Sequence, residues 1–385
     1  MNVSNLLDSA VAAVSTVAAE NADNVDRASH FPQATLRALQ QHRLMHLLAP
    51  ASFGGPGRSL TEVASVCHAL AQACGSSGMI YAMHQIQVAC IVAHGRESAW
   101  HQALLRRLCE EQWLLGSVTS EVGTGGNILA SVCALECDDG RARLNKDAPT
   151  VSYGAEADAL LITTRRTPDA AANDQVMVVA TRDCCELERV SGWDALGMRG
   201  THSEAFKVRF AGSAEHVLPT PFADIAGQTM LPVSHLLWTS VWLGIATDAV
   251  HRARAYLRQQ VRARANVSMM AHRLARGVGL LQLMQARLSQ ALRDYDAVFP
   301  SAQSLPLGFT ADMNNLKTTI SENCLQVVQH AFMVCGINAY KNGTEFSLGR
   351  HLRDLMSAPL MINNDRMLES TGNLLLLQKP MLGVF

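Results

Sequence analysis

The chain has 385 residues, 48% hydrophobic and 17% charged, with a formal net charge of -1. That composition supports a substantial core and argues against disorder and coiled coil. The near-zero charge gives no electrostatic basis for binding nucleic acid or an anionic membrane. The longest apolar run, near Leu236 to Ala246, is broken by Thr239 and Ser240, so no membrane span is expected. The first residues lack a basic start followed by an apolar stretch, so no secretory signal is expected and a cytoplasmic location is. Ten cysteines are scattered without CxxC or paired histidines, which predicts reduced core thiols and no structural metal.

Residues 5–110 read as helices. Leu60, Val63, Val66, Cys67, Leu70, Ala71 and Cys74 recur at three- and four-residue spacing, the stripe of a helix facing a core. Pro50-Ala-Ser-Phe-Gly-Gly-Pro-Gly57 interrupts them as a loop. After Trp113 the pattern changes. Ala159–Thr164 and Val176–Ala180 are short β-branched runs, and Phe206, Val208 and Phe210 alternate with Lys207 and Arg209. Strands this closely spaced predict a small antiparallel sandwich or barrel. Helical periodicity returns near residue 230, with segments around 233–263, 267–297, 310–339 and 349–376. Loops such as Phe299–Pro306 separate them, which predicts an antiparallel four-helix bundle. The fold class is therefore α+β: an N-terminal helical domain (1–112), a middle antiparallel β-domain (113–222) and a C-terminal helical bundle (223–385).

Four features stand in order along the chain: Phe53-Gly54-Gly55, the stretch Val118-Thr-Ser-Glu-Val-Gly-Thr-Gly-Gly-Asn127, the turn Trp193–Thr201, and Met333-Val-Cys-Gly-Ile-Asn-Ala-Tyr340. Together with the helix–strand–helix order they resemble the acyl-CoA dehydrogenase superfamily. The resemblance covers nearly the whole chain. It implies FAD wedged between the β-domain and the bundle, an acyl thioester against the ring, and a homotetramer or homodimer sharing cofactor across an interface. The family reaction forms an α,β-double bond, with an electron-accepting flavoprotein or O2 taking the electrons. The thioester partner would be acyl-CoA or an acyl carrier.

The resemblance also implies roles. Thr119 and Ser120 offer hydroxyls, and Gly125 and Gly126 match the family's Gly-Ser pair in a turn whose amides can approach a flat ring. Thr150 and Ser152 match a Trp-Ile-Thr motif; the serine keeps a hydroxyl, whereas Thr150 loses an aromatic lid. Arg254, Arg258 and Arg262 lie on one helix face. By position Arg262 resembles the arginine that reaches the cofactor pyrophosphate, with Arg264 close behind and Ala265 where the family has phenylalanine. Met333 replaces a glutamine that bonds the neighbouring subunit's cofactor, and Gly336 fits the motif.

The expected base is missing. Arg353-Asp354 matches the pair that precedes the family's glutamate, but the counted position is Ile362, followed by Asn363 and Asn364. An α-proton base needs a carboxylate in an apolar site. Asp365 is the nearest acid and the expected replacement, with His235 a second candidate near the first bundle helix. Glu369 superficially mimics the lost motif, and His84 falls in a helix near the substrate end in relatives. The leading expectation is an FAD-dependent acyl-CoA dehydrogenase-like enzyme. The tail from Ser357 to Leu377 also resembles two-component flavin monooxygenases on the same fold, which need no such base. A non-catalytic member of the family is the third reading.

Overall fold

The structure, a computed structural model, describes residues 3–263, 267–298 and 306–377. Five helices come first: α1 (Val3–Arg27), α2 (Gln33–Gln41), α3 (Leu60–Ala73), α4 (Gly75–His94) and α5 (Ala99–Glu111). The stripe on α3 is buried as its spacing requires. Its start is fixed by a capping box: the Glu62 amide donates to the Ser59 hydroxyl, and the Ser59 amide donates to the Glu62 carboxylate. α4 is buried almost all round, as befits a helix with neighbours on every side. His84, on α4, is a core residue: its Nδ1 accepts from the Leu115 amide and its Nε2 faces the Met45 carbonyl.

The middle region holds β1 (Leu115–Val118), β2 (Glu136–Asp138), β3 (Arg141–Val151), β4 (Ala159–Arg165), β5 (Gln175–Thr181), β6 (Cys185–Ser191) and β7 (Glu204–Ser213). They form two sheets, ordered β1-β4-β5 and β2-β3-β7-β6. The expectation of antiparallel strands needs one correction: β1 and β4 run parallel. Between them the chain passes through the β2–β3 hairpin of the other sheet, and a return through a second layer is the crossover that a parallel pair needs. Along β3, Ala142, Leu144, Lys146 and Ala148 point inward while Arg141, Arg143, Asn145 and Asp147 are exposed. β4 and β5 are buried on both faces, so the three-stranded sheet is the middle layer.

The C-terminal region begins with α6 (Phe222–Ile225), which passes through a π-turn into α7 (Leu231–Arg262). It continues as α8 (Ser268–Val298), α9 (Leu307–Cys335), α10 (Ile337–Tyr340), α11 (Gly349–Leu355) and α12 (Asn364–Leu377). The stretch Phe222–Arg262 has the length and apolarity to cross a membrane, but its apolar window is 89% buried within the fold, the mark of a core helix. α7 and α3 touch so closely that a Cβ on Gly244 would lie 2.4 Å from the His68 carbonyl oxygen. The bundle consists of α7, α8, α9 and the short α12. The helix expected over 349–376 is two helices, because Pro359 interrupts the backbone and Ile362 has φ 52°. Most of the loop expected at Phe299–Pro306 lies outside the described residues, as do the positions of Arg264 and Ala265.

The Trp193–Thr201 turn is pinned to the bundle. The Met198 amide donates to the buried Asp354 carboxylate at 2.6 Å, and Arg353 pairs with Asp26 on α1 while donating to the Leu196 carbonyl. α11 therefore joins all three regions of the chain.

Candidate active site

β1 ends at Val118, and the chain opens into a loop with positive φ at Gly123 (93°), Gly125 (59°) and Gly126 (78°), all three exposed. Only glycine adopts such angles without strain. The Val122 amide donates to the Asp147 carbonyl and the Asn127 amide to that of Thr124. The amides of Gly123, Gly125 and Gly126 have no acceptor among the described residues. They are free to meet a flat ring's carbonyls or an anion.

A buried carboxylate sets the loop's shape. Glu121 accepts from the Ser131 hydroxyl at 2.6 Å, from the Val132 amide at 3.0 Å and from the Cys133 amide. It pairs with Lys146 at 3.3 Å, with side-chain exposures of 4% and 0%. Lys146 also donates to the Thr163 carbonyl at 2.6 Å, which ties the loop to β4 in the facing sheet. Burial pushes the lysine's pKa down and Glu121 pulls it back.

The other expected hydroxyls gather here. Ser120 donates to the Thr150 carbonyl at 2.6 Å and accepts from the Thr150 amide, so the loop and the end of β3 are stitched together. Thr119 and Ser152 are half-buried and Thr150 is exposed. Ser152 shares a hydrogen bond with Ser203 at 2.8 Å, which in turn meets Thr201. α12 closes the other side: Arg366 donates from Nη2 to the Gly125 carbonyl at 2.7 Å.

Behind α12 sits a buried cation. Lys317, on α9, donates to the Ile362 carbonyl and to Asn364 Oδ1, both at 2.7 Å, and lies over the Trp242 ring. Burial lowers its pKa to about 8. His235, on α7, is 2% exposed, and its Nδ1 has no partner among the described residues. Burial, then the neighbouring Lys317, lowers it to about 3, so it is a neutral imidazole at physiological pH. Asp365 and Glu369 are both exposed on α12. Ile362 therefore offers a carbonyl, held by a lysine, where a carboxylate was sought.

Arg262, Met333 and Gly336 do not join this group within one chain. All three are exposed, as are Arg254 and Arg258. Met333 lies sixteen residues beyond Lys317 on α9, about 24 Å along a helix. The sequence reading missed Glu121, Lys146, Lys317 and Arg366. Two of them left a signal: Lys146 falls on the inward period of β3, and Lys317 sits on the apolar stripe of Met313, Leu316, Ile320 and Cys324. A separate cavity of about 1010 Å³ lies between α1, α3, α7 and the 342–353 region. Of its arginines, Arg252, Arg350 and Arg353 are paired with Asp248, Asp23 and Asp26.

Comparison with known proteins agrees with this architecture. Residues 3–112 match the acyl-CoA dehydrogenase N-terminal domain, and residues 225–361 match the acyl-CoA dehydrogenase C-terminal domain. The chain belongs to the acyl-CoA dehydrogenase superfamily and is an enzyme of that flavoprotein family. A dibenzothiophene monooxygenase of Mycolicibacterium goodii is 29% identical over 237 residues, 58% of this chain but only 56% of that protein. A probable FMNH2-dependent monooxygenase of Pseudomonas putida is 22% identical over 361 residues, covering 89% of this chain and 87% of that one. A cyclohex-1-ene-1-carbonyl-CoA dehydrogenase of Geobacter metallireducens is 24% identical over 349 residues, 87% of each chain. Among solved structures, FMN-bound TdsC of Paenibacillus sp. A11-2 superposes with a TM-score of 0.85 at 20% identity, covering 98% of this chain and 99% of that one, a likeness of fold.

Two measurements probe the buried charges. Glu121→Gln strands Lys146 without a counter-charge and is expected to cost about 3–5 kcal/mol in urea unfolding, much of it recovered when Lys146→Met is added. A loss in the single variant that the second substitution does not relieve would contradict the pairing. Lys317 binds its proton less tightly in the fold than in the unfolded chain. Its contribution to stability is therefore full above the unfolded lysine pKa of ~10.4 and is lost as pH falls through about 8. Lys317→Met is expected to flatten the rise in melting temperature between about pH 8 and 10; an unchanged slope would show that another group causes it.

Proposed function

We propose that the chain is the oxygenase of a two-component system, taking reduced FMN from a separate reductase and using O2 to oxygenate an organic substrate. The observation that carries this reading is the missing base. At Ile362 the described residues offer a carbonyl engaged by Lys317 and the Asn364 carboxamide, and the acids nearby are exposed. A base for a proton on an α-carbon is a carboxylate held in an apolar site, and neither Asp365 nor Glu369 is buried. His235, held neutral down to about pH 3, forms hydrogen bonds but does not hold a proton near neutrality. The monooxygenase relatives support the same reading, and FMN rather than FAD is the cofactor form that goes with it.

The residues fit a flavin. The free amides of Gly123, Gly125 and Gly126 would bond the ring's polar edge, and Thr119, Ser120 and Ser152 would add hydroxyls beside it. Reduced flavin, when bound, supplies the two electrons with which O2 is split, one oxygen atom going to the substrate and the other leaving as water. The protein's part is to orient the ring, keep water from it and hold the substrate against it. Arg262, Met333 and Gly336 would reach a flavin held by a second copy of the chain, which argues for a homodimer or homotetramer.

The dehydrogenase reading draws on the cyclohex-1-ene-1-carbonyl-CoA dehydrogenase match, which spans most of the chain. It would need Asp365 or Glu369 to leave solvent for an apolar site, which costs several kcal/mol unless the group is paired. Labelled oxygen tests the proposal. With FMN, NADH, a flavin reductase and ¹⁸O2, aromatic heterocycles such as dibenzothiophene and indole are expected to gain label only when the protein is present. Oxygenated products carrying label from water, or formed equally without the protein, would count against it.

A further inference from the structure

Three hydroxyls stand in a row from the Trp193–Thr201 turn to the candidate site. Thr201 Oγ1 lies 2.9 Å from the Met198 carbonyl oxygen and 2.8 Å from Ser203 Oγ, and Ser203 Oγ lies 2.8 Å from Ser152 Oγ. These hydroxyls have no other hydrogen-bond partner among the described residues. Thr201 and Ser203 are buried and Ser152, at the open end, is half-buried. The far end is fixed by backbone: Met198 has φ 50°, and its amide is held by the buried Asp354 carboxylate at 2.6 Å. A hydroxyl has one proton to give, whereas a carbonyl oxygen only accepts. Thr201 therefore donates to Met198. That spends its proton, so Ser203 donates to Thr201, and Ser152 in turn donates to Ser203.

The order of protons leaves Ser152 with lone pairs alone on its open side. Ser120 is committed in the same way, its proton on the Thr150 carbonyl at 2.6 Å and a lone pair taken by the Thr150 amide. Two of the hydroxyls at the site thus accept hydrogen bonds and have none to give. A flavin gains N–H donors on reduction, at N5 and, in the neutral form, at N1, where the oxidised ring has bare lone pairs. We propose that Ser203 and Thr201 are positioning residues that fix Ser152 as an acceptor, so that the site favours reduced over oxidised FMN. The oxidised ring is met on equal terms only if the row reverses. Reversal leaves the Thr201 oxygen against the Met198 carbonyl with no proton between them. One hydrogen bond lost in this way corresponds to about 3- to 10-fold in affinity. This inference rests on the flavin reading of the site and adds to it a means of choosing the redox form.

Anaerobic equilibrium dialysis with oxidised and with dithionite-reduced FMN tests it without any turnover. The midpoint potential of the bound flavin, titrated against a reference dye, reports the same ratio independently. The wild type is compared with Ser203→Ala, Thr201→Val and Thr201→Ser, each checked for its unfolding midpoint. Ser203→Ala and Thr201→Val free the Ser152 proton. Each is expected to lower the preference for reduced FMN by about 3- to 10-fold, a fall of about 15–30 mV in the potential of a two-electron couple. Thr201→Ser keeps the hydroxyl and is expected to keep the wild-type ratio. Should Thr201→Val fail to fold, Ser203→Ala and Thr201→Ser decide the matter. An unchanged ratio in Ser203→Ala, or equal weakening of both redox forms, would overturn the proposal, since a merely structural row does not distinguish them. A wild type that binds neither form would instead overturn the flavin reading itself and this inference with it.

Discussion

The Glu121 carboxylate is the group on which the candidate site depends. It is buried with Lys146, and it gathers the Val132 and Cys133 amides and the Ser131 hydroxyl at the far end of the same loop. A buried ion pair is a weak source of net stability, but it is specific: every other arrangement of the loop leaves a charge without a partner. The pair fixes where the loop starts and ends, and the glycine amides between are left without an acceptor among the described residues. Lys146 carries the constraint across to β4 through Thr163, so the loop is built on both sheets.

The remaining walls follow the same plan. Ser120 and Thr150 stitch the loop to β3, and Arg366 bridges it to α12. Lys317 fastens the chain just before α12 by the Ile362 carbonyl and Asn364. This last contact bears most directly on chemistry. A scaffold shared with enzymes that draw a proton from carbon here presents an amine, a carboxamide and a carbonyl. In the structure those groups hold a backbone in place: the Lys317 amine is engaged by the Ile362 carbonyl and by Asn364.

Much of the fold was legible in the chain. Helical stripes such as that of α3, and the alternation along β7, are local patterns that burial enforces. Three things were not. The parallel pairing of β1 with β4 depends on a long excursion through the other sheet, which no local pattern records. The break between α11 and α12 depends on Pro359 and on an unusual angle at Ile362, within an otherwise helical composition. The division of the expected site residues into two groups depends on the length of α9, which separates Met333 from Lys317. Thr119, Ser120, Gly125, Gly126, Thr150 and Ser152 do come together around one loop. Asp365 stands in solvent and His235 in the core, positions that sequence spacing alone could not distinguish. The lysines at 146 and 317 were readable as polar residues on inward faces, and both turned out to organise the site.

An oxygenase of the kind proposed does not take electrons from an acyl thioester. An anaerobic titration of the flavin-loaded protein with butyryl-CoA, followed at the oxidised flavin band, tests it most directly. The band is expected to persist at saturating thioester and to disappear only when a reductase delivers electrons. Stoichiometric bleaching by butyryl-CoA would contradict it.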